Sequence, residues 1–192
     1  MAEAGDPQRQ RDAALLAAWA AGEPDAARRL VDLHAPRAYR LALRMLRDTA
    51  EAEEITQEAM LRLWRIAPQW RAGEARIDTW LYRVTANLCT DRLRRPRPEK
   101  MPEGFEAADG SPGAEARLQQ DARAQALDAA LAALPERQRL AIVLRHLEER
   151  SNPEIAAVME LSVEAVESLL SRGRRALRAR LEGARSALGY EE

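Results

Sequence analysis

Two arginine-rich segments carry the side chains whose types and spacing suggest a chemistry, namely recognition of phosphates and base edges. From Arg71 to Arg97 seven arginines stand against Glu74, Asp78 and Asp91, and from Arg172 to Arg185 six stand against Glu182 alone. Guanidinium groups make charge-assisted contacts to phosphate. On a helix over Ile77–Arg95, Arg83, Asn87, Asp91 and Arg94 recur at helical spacing, opposite a stripe of Trp80, Val84 and Leu88 and flanked by Arg92 and Arg95. Asn87 can hydrogen-bond a base edge, or is an ordinary polar surface residue. The preceding loop, with Arg71 and Arg76, could receive an unstacked base. Trp80 is expected in the core. Tyr82 falls off the stripe, where it would be exposed and able to stack.

The second segment reads as a short helix, a turn and a long helix, Pro153 to Arg180, the pattern of a helix-turn-helix unit. A recognition helix reads bases from its early turns, here Glu164, Glu167, Ser168, Ser171, Arg172 and Arg175. Arg172 and Arg175 suit phosphate or guanine. Glu164 and Glu167 would repel phosphates but can accept from cytosine amino groups, and they equally suit the positive end of the helix dipole. Arg174, Arg178 and Arg180 lie later and suit backbone contact or solvent. Arg137 and Arg139, just after Pro135, could touch phosphates from the side. Two basic segments imply two grips on nucleic acid. The plainer alternative is two solvated helix faces.

The acid sits elsewhere. Asp48 to Glu58 holds five carboxylates and no base. Glu51, Glu53, Glu54 and Glu58 are expected to face outward from one helix, as a protein-docking patch or simply a solvated face. Bond-making chemistry finds little support. His34 and His146 are the only histidines, and His34 falls on an apolar stripe. With one cysteine, Cys89, there is neither an intramolecular disulfide nor a Cys/His zinc cluster. Gly173 stands alone rather than in a phosphate-binding loop. No catalytic residue, metal ligand or cofactor is expected.

The elements that must position these residues are helical. The chain has 192 residues, 46% apolar but only 4% aromatic; an Ala- and Leu-rich composition favours helix. Thin bundles are expected rather than one thick core. The N-terminus lacks the pattern of a signal peptide, and no apolar run approaches the ~18 residues of a membrane span, so a soluble, cytoplasmic protein without direct membrane insertion is expected. Residues 1–11 read as frayed, and Asp12–Ala21 as a short helix. The next helix runs from Pro24 to Arg47, with Leu30, His34, Ala38, Leu41 and Met45 buried and Pro36 a conflict inside it. Asp48 or Thr49 caps a helix whose inner face is Ile55, Ala59, Leu63 and Ile66, and which Pro68 stops. Residues 12–95 form a first domain. Residues 96–116, rich in Pro, Gly and acid, read as a flexible tether that lets two domains move independently. Residues 117–186 form a second domain, with Leu127, Leu131 and Leu134 on one helix and Leu140, Val143, Leu144 and Leu147 buried on the next. Asn152 is the expected cap of the short helix and Ser162 that of the last.

Four stretches, in this order, resemble a known family: AEAEEITQEAMLRLW at Ala50–Trp64, DTWLYRVTANLCTDRLRR at Asp78–Arg95, LPERQRLAIVLRH at Leu134–His146, and NPEIAAVMELSVEAVESLLSRGRRALR at Asn152–Arg178. Together they resemble the extracytoplasmic-function sigma factors, the smallest members of the bacterial sigma-70 family. The resemblance implies an all-α fold of two small domains joined by a linker, the second with a helix-turn-helix. It implies a protein that binds core RNA polymerase and directs it to promoters. Glu53, Glu54, Gln57 and Glu58 would dock on the polymerase. Arg76, Tyr82, Arg83, Asn87, Arg92, Arg94 and Arg95 would melt and hold the single strand of the -10 element, with Asn87 at the position of the flipped base. Arg137, Glu164, Glu167, Ser168, Ser171, Arg172 and Arg175 would face the duplex -35 element. The resemblance also implies an anti-sigma factor, membrane-anchored or soluble and zinc-binding, that clasps both domains. Two departures are visible: Glu164 and Glu167 stand where many relatives carry basic residues, and Arg71–Arg76 lacks an evident aromatic.

Two other readings compete. A stand-alone helix-turn-helix regulator would explain the last domain but not the acidic helix or the first basic helix. A polymerase-binding or anti-sigma-antagonist mimic would never touch DNA.

Overall fold

The computed structural model describes residues 7–70, 76–95 and 114–182, with side chains for all of these but 114–122. Every regular element among them is helical. In chain order these are α1 (Pro7–Ala20), α2 (Pro24–Leu46), α3 (Thr49–Ile66), a 3-10 turn (Ala67–Gln69), α4 (Ile77–Arg94), α5 (Ala114–Ala132), α6 (Glu136–His146), α7 (Asn152–Met159) and α8 (Val163–Glu182).

In the first domain, α1 begins at Pro7, inside the stretch expected to fray. It is tied down by Leu15 and Leu16 and by a buried polar pair, Asp12 Oδ1 at 3.2 Å from His34 Nε2. Helix α2 runs through Pro36 and buries Leu30, His34, Ala38, Leu41 and Met45, as their spacing predicts. It stops where Arg47 turns left-handed, at φ 55°. Asp48 then caps α3, its side chain accepting the Glu51 N–H at 2.9 Å. Ile55, Ala59 and Leu63 form the inner face of α3, with Ile66 only partly covered. The α1 and α3 helices meet through Trp19 and Trp64, whose ring centroids are 6.0 Å apart.

Helix α4 departs most from its expected orientation. Trp80, Val84 and Leu88 are only partly buried, and the fully buried positions are Ile77, Asp78, Leu81, Tyr82, Thr85, Ala86 and Cys89. A single stripe cannot account for this set; two adjacent faces of the helix are covered. Ile77 and Leu81 join Leu30, Ala38, Ala59 and Leu63 in the core of the first domain. Tyr82, Ala86 and Cys89 join a second cluster, described below.

Helix α5 begins at Ala114, within the expected tether; the rest of that stretch, 96–113, lies outside the described residues, as do residues 71–75 of the expected loop Gln69–Arg76. Leu131, Leu134, Leu140, Val143, Leu144, Ile155, Val158, Val166 and Leu170 fill the core of the second domain. Leu147 does not join them: Glu149 adopts φ 53°, and the α6–α7 turn leaves Leu147 38% exposed while burying its neighbour Glu148 to 6%. The cap of α7 is Ser151 rather than Asn152. The Ser151 N–H donates to Glu154 Oε2 at 2.8 Å, and the Glu154 N–H donates to Ser151 Oγ at 3.4 Å, a complete capping box. Ser162 caps α8 as expected, accepting the Ala165 N–H at 3.2 Å. Between them Glu160, at φ 54°, makes the turn of the helix-turn-helix, closed by Leu161 N–H donating to the Ala156 carbonyl at 3.0 Å.

The two domains are packed together, not separate. One continuous apolar cluster runs from Leu41, Ala42, Met45, Tyr82 and Cys89 to Leu140, Ile142, Val143 and Ile155. Arg139, expected near phosphates, instead donates to the carbonyls of Met45 at 2.7 Å, of Ala132, and of Leu134 at 3.5 Å, fastening α6 to the end of α2.

Two stability measurements follow. A Cβ at Gly173 would lie 2.8 Å from Ile142 Cγ1, so α8 sits on α6 only because this residue has no side chain. Gly173→Val is expected to cost about 1–3 kcal/mol in urea denaturation, overpacking outweighing the gain in helix propensity. At Glu154, burial alone would raise the carboxyl, but the Ser151 N–H and hydroxyl, with Arg150 and Arg76, outweigh it and hold the group below its ordinary value. A carboxyl depressed in the folded state stabilises at neutral pH, and that contribution fades as the pH falls through its folded value. Ser151→Ala is therefore expected to cost about 1 kcal/mol at pH 7 and less in acid, read from urea midpoints at the two pH values.

Candidate nucleic-acid interface

Helix α8 presents the cleanest surface. Its buried residues Val166, Leu170 and Gly173 lie on one side. Glu164, Glu167, Ser168, Ser171, Arg172 and Arg175 are all exposed on the other. Their spacing places them on one ridge over three turns. Glu167 is engaged from α7, accepting from Asn152 Nδ2 at 3.4 Å, and Arg172 Nε donates to the Ser168 carbonyl at 3.3 Å. Glu164 is held ionised below its ordinary value by its own backbone N–H and by Ser162. His146, at the end of α6, is lowered by desolvation and then by the charges of Arg174 and Arg145. Arg137 is exposed at the start of α6. This ridge can address a DNA groove: carboxylates and hydroxyls first, guanidinium groups after them.

The α4 candidates are divided. Asn87, Arg94 and Arg95 are exposed. Tyr82 is not: it is 2% exposed, and its hydroxyl donates to Glu148 Oε2 at 2.6 Å. Burial and the Glu148 carboxylate push its phenol far up, so in this arrangement it is a buried donor and not a stacking platform. Arg83 reaches Glu160 at 3.1 Å, and Arg94 lies 3.7 Å from Glu136. Both partners belong to the second domain. Arg76, at the start of α4, pairs with Asp78 at 3.2 Å. Arg92 pairs across to α3, at 2.8 Å from Glu54 and 3.7 Å from Glu51, and its hydrogen bond to Glu54 raises its already high pKa. Thus an expected strand-holding arginine is bound to an expected docking carboxylate. Arg71 lies outside the described residues. Cys89 is buried and its thiol is pushed up to about 12, chiefly by burial, which makes it a core residue with little thiolate.

On α3, Glu53, Glu54 and Gln57 are exposed, and Glu58 pairs with Arg62 at 2.8 Å, which lowers its carboxyl. Glu51 turns inward toward Arg92. Leu61, outside the inner-face spacing of α3, is 40% exposed and lies one turn beyond Gln57 and Glu58. Its signal is a leucine on the polar side of an amphipathic helix. An acidic rim around an exposed apolar side chain is an arrangement that protein-binding faces use. Among the described residues no group of His, Cys, Asp and Glu could hold a metal ion, and no helix is long and apolar enough to cross a membrane.

Sigma-70 region 2 matches residues 30–98, and Sigma-70 region 4 matches residues 124–177. The ECF RNA polymerase sigma factor SigW of Bacillus subtilis is 32% identical over 83% of this chain and 91% of its own length. SigM of Mycobacterium tuberculosis is 34% identical over 93% of this chain and 88% of its own. SigE of Mycolicibacterium smegmatis is 37% identical, but the match spans only 59% of that longer protein. Among solved structures, CnrH in complex with the cytosolic domain of CnrY is 27% identical with a TM-score of 0.68, over 90% of this chain and 98% of that one. The sigma factor RpoE from Bartonella quintana, solved with the anti-sigma factor NepR, shares the fold at 19% identity and a TM-score of 0.60, over 81% and 96% of the two chains. With both matched regions falling on the helices that carry the α3, α4 and α8 surfaces, this chain belongs to the extracytoplasmic-function RNA polymerase sigma factors of the sigma-70 family.

Proposed function

We propose that this chain works as a promoter-specificity subunit through three separate surfaces. The face of α3 with Glu53, Glu54, Gln57, Glu58 and Leu61 docks on core RNA polymerase. Helix α4, through Asn87, Arg83, Arg92, Arg94 and Arg95, with Arg76 at its start, holds the opened -10 strand. The exposed ridge of α8, with Arg137, reads the -35 duplex. The observation that carries this reading is the coexistence, on one chain, of an acidic-apolar face on α3 and an exposed recognition ridge on α8. A stand-alone duplex-binding regulator has no use for the first. Melting needs no bond-making groups; flipping a base costs a few kcal/mol, which contacts to the opened strand can offset. Two DNA contacts on one chain also gain from effective concentration. The site of action is the cytoplasm, where the polymerase works. An anti-sigma factor, membrane-anchored or soluble and zinc-binding, is the expected antagonist; supporting this, the related RpoE is solved with one.

Run-off transcription with purified core enzyme on genomic fragments, followed by start-site mapping, tests the reading. Discrete starts are expected only when the chain is added. Glu53→Lys with Glu58→Lys is expected to weaken core binding about tenfold, mostly at low salt. Arg172→Ala is expected to reduce the salt dependence of -35 duplex binding by about one counterion. If the double α3 variant binds core as tightly as the parent chain, the docking assignment is wrong.

A further inference from the structure

The two carboxylates on the α8 ridge are held in different ways. Glu164 lies in the first turn, and its carboxyl is drawn back to the helix end by its own N–H and by Ser162. There the positive end of the helix dipole favours an acid, an effect that fades within the first turn. Glu167 lies one turn further on, so the dipole does not account for it. It is exposed, and its contact comes from another helix: Asn152 Nδ2, at the start of α7, donates to Glu167 Oε1 at 3.4 Å. Asn152 Oδ1 is enclosed and has no hydrogen-bond partner among the described residues. The amide therefore turns its N–H groups outward, the only groups it has that a carboxylate can accept from. Among the described residues Asn152 is the one hydrogen-bond partner of the Glu167 side chain, which leaves Oε2 open. A glutamate on a helix surface samples several rotamers; a tether from α7 reduces what remains to be ordered on binding.

A carboxylate in this place restricts what it can face. Phosphates on the walls of a groove repel it. On the floor of the major groove guanine shows two acceptors, N7 and O6, thymine shows the acceptor O4, and adenine sets an N7 acceptor beside its N6 donor. Cytosine alone shows a donor, its N4 amino group, with no acceptor on the same base. Ser168 and Ser171, exposed beside Glu167, suit any base and do not discriminate. Arg172 and Arg175, further along the ridge, suit guanine or phosphate. We infer that Glu167, positioned by Asn152, is a specificity-determining residue that selects cytosine at one position of the -35 duplex. The inference rests on the proposed reading of that duplex by α8. The charge that weakens attraction to every phosphate also rejects three of the four bases, so lower affinity comes with sharper discrimination.

The test takes a promoter located by start-site mapping and a set of templates in which each upstream base pair is replaced singly. Run-off yield with core enzyme is measured for the full parent chain and for Glu167→Gln, Glu167→Arg and Asn152→Ala. The parent chain is expected to require cytosine at one upstream position, any other base there lowering the yield about tenfold. At that position Glu167→Gln is expected to prefer adenine and Glu167→Arg guanine, since an amide and a guanidinium match those edges with paired hydrogen bonds. Asn152→Ala is expected to weaken the cytosine preference there and leave every other position unchanged, which a general loss of folding would not do. The same preference profile in the parent and both Glu167 variants, or a uniform loss of yield on all templates, overturns cytosine reading by Glu167. A full cytosine preference in Asn152→Ala overturns the positioning by Asn152. A parent chain indifferent to every upstream base pair overturns the -35 reading itself, and the inference with it.

Discussion

Helix α4 is packed from two sides, and the rest of the structure depends on that double contact. Ile77 and Leu81 complete the core formed by α1, α2 and α3, while Tyr82, Ala86 and Cys89 face the cluster shared with α6 and α7. A helix covered on two adjacent faces has only its remaining side for solvent or ligand. That side holds Asn87, Arg94 and Arg95. The apolar part of the contact supplies most of the adhesion, since burial scales with area. The ion pairs Asp78–Arg150 and Glu148–Arg40, which cross between the domains, supply alignment more than adhesion, because a displaced register would leave a charge buried without its partner.

The helix-turn-helix is organised differently. It is built by local chemistry: the Ser151–Glu154 capping box, the left-handed Glu160, the Ser162 cap, and the close approach of α8 to α6 at Gly173. The hydrogen bonds that form these caps and turns all lie within the second domain, although the Glu160 carboxylate also meets Arg83 of the first. The recognition ridge can thus keep its shape whether or not the domains touch. The two DNA-facing surfaces differ in this respect: the α8 ridge is formed and free, whereas α4 is formed but partly engaged by its neighbour.

Local patterns were legible in the sequence, and contacts between domains were not. The stripe Leu30–His34–Ala38–Leu41–Met45, the Asp48 and Ser162 caps and the outward ridge of α8 all follow from helical spacing and cap chemistry. Tyr82 was misjudged because periodicity assigns one buried face per helix, and α4 has two. Leu147 and Glu148 exchanged places because a left-handed Glu149 reverses the chain after α6, and no residue there announces such a turn as a glycine would. Arg139 and Arg92 resemble free phosphate ligands when only their own segments are considered; their partners, Met45 and Glu54, lie on other helices. Arginine content locates a charge in sequence, but the pairing of that charge is a tertiary fact.

The junction of Asp12 with His34 has its own consequence. The imidazole lies fully enclosed with only its Nε2 in contact with a polar atom, and Nδ1 has no hydrogen-bond partner among the described residues. One carboxylate from α1 thus provides the hydrogen-bond partner of the α2 imidazole among the described residues. Trimming the chain to the matched region that starts at residue 30 would strip that neighbour away and uncover the apolar face of α2 that Leu15 and Leu16 help to bury. The leading helix is therefore a structural member of the fold, and a minimal fragment cut by family boundaries would lack part of its own foundation.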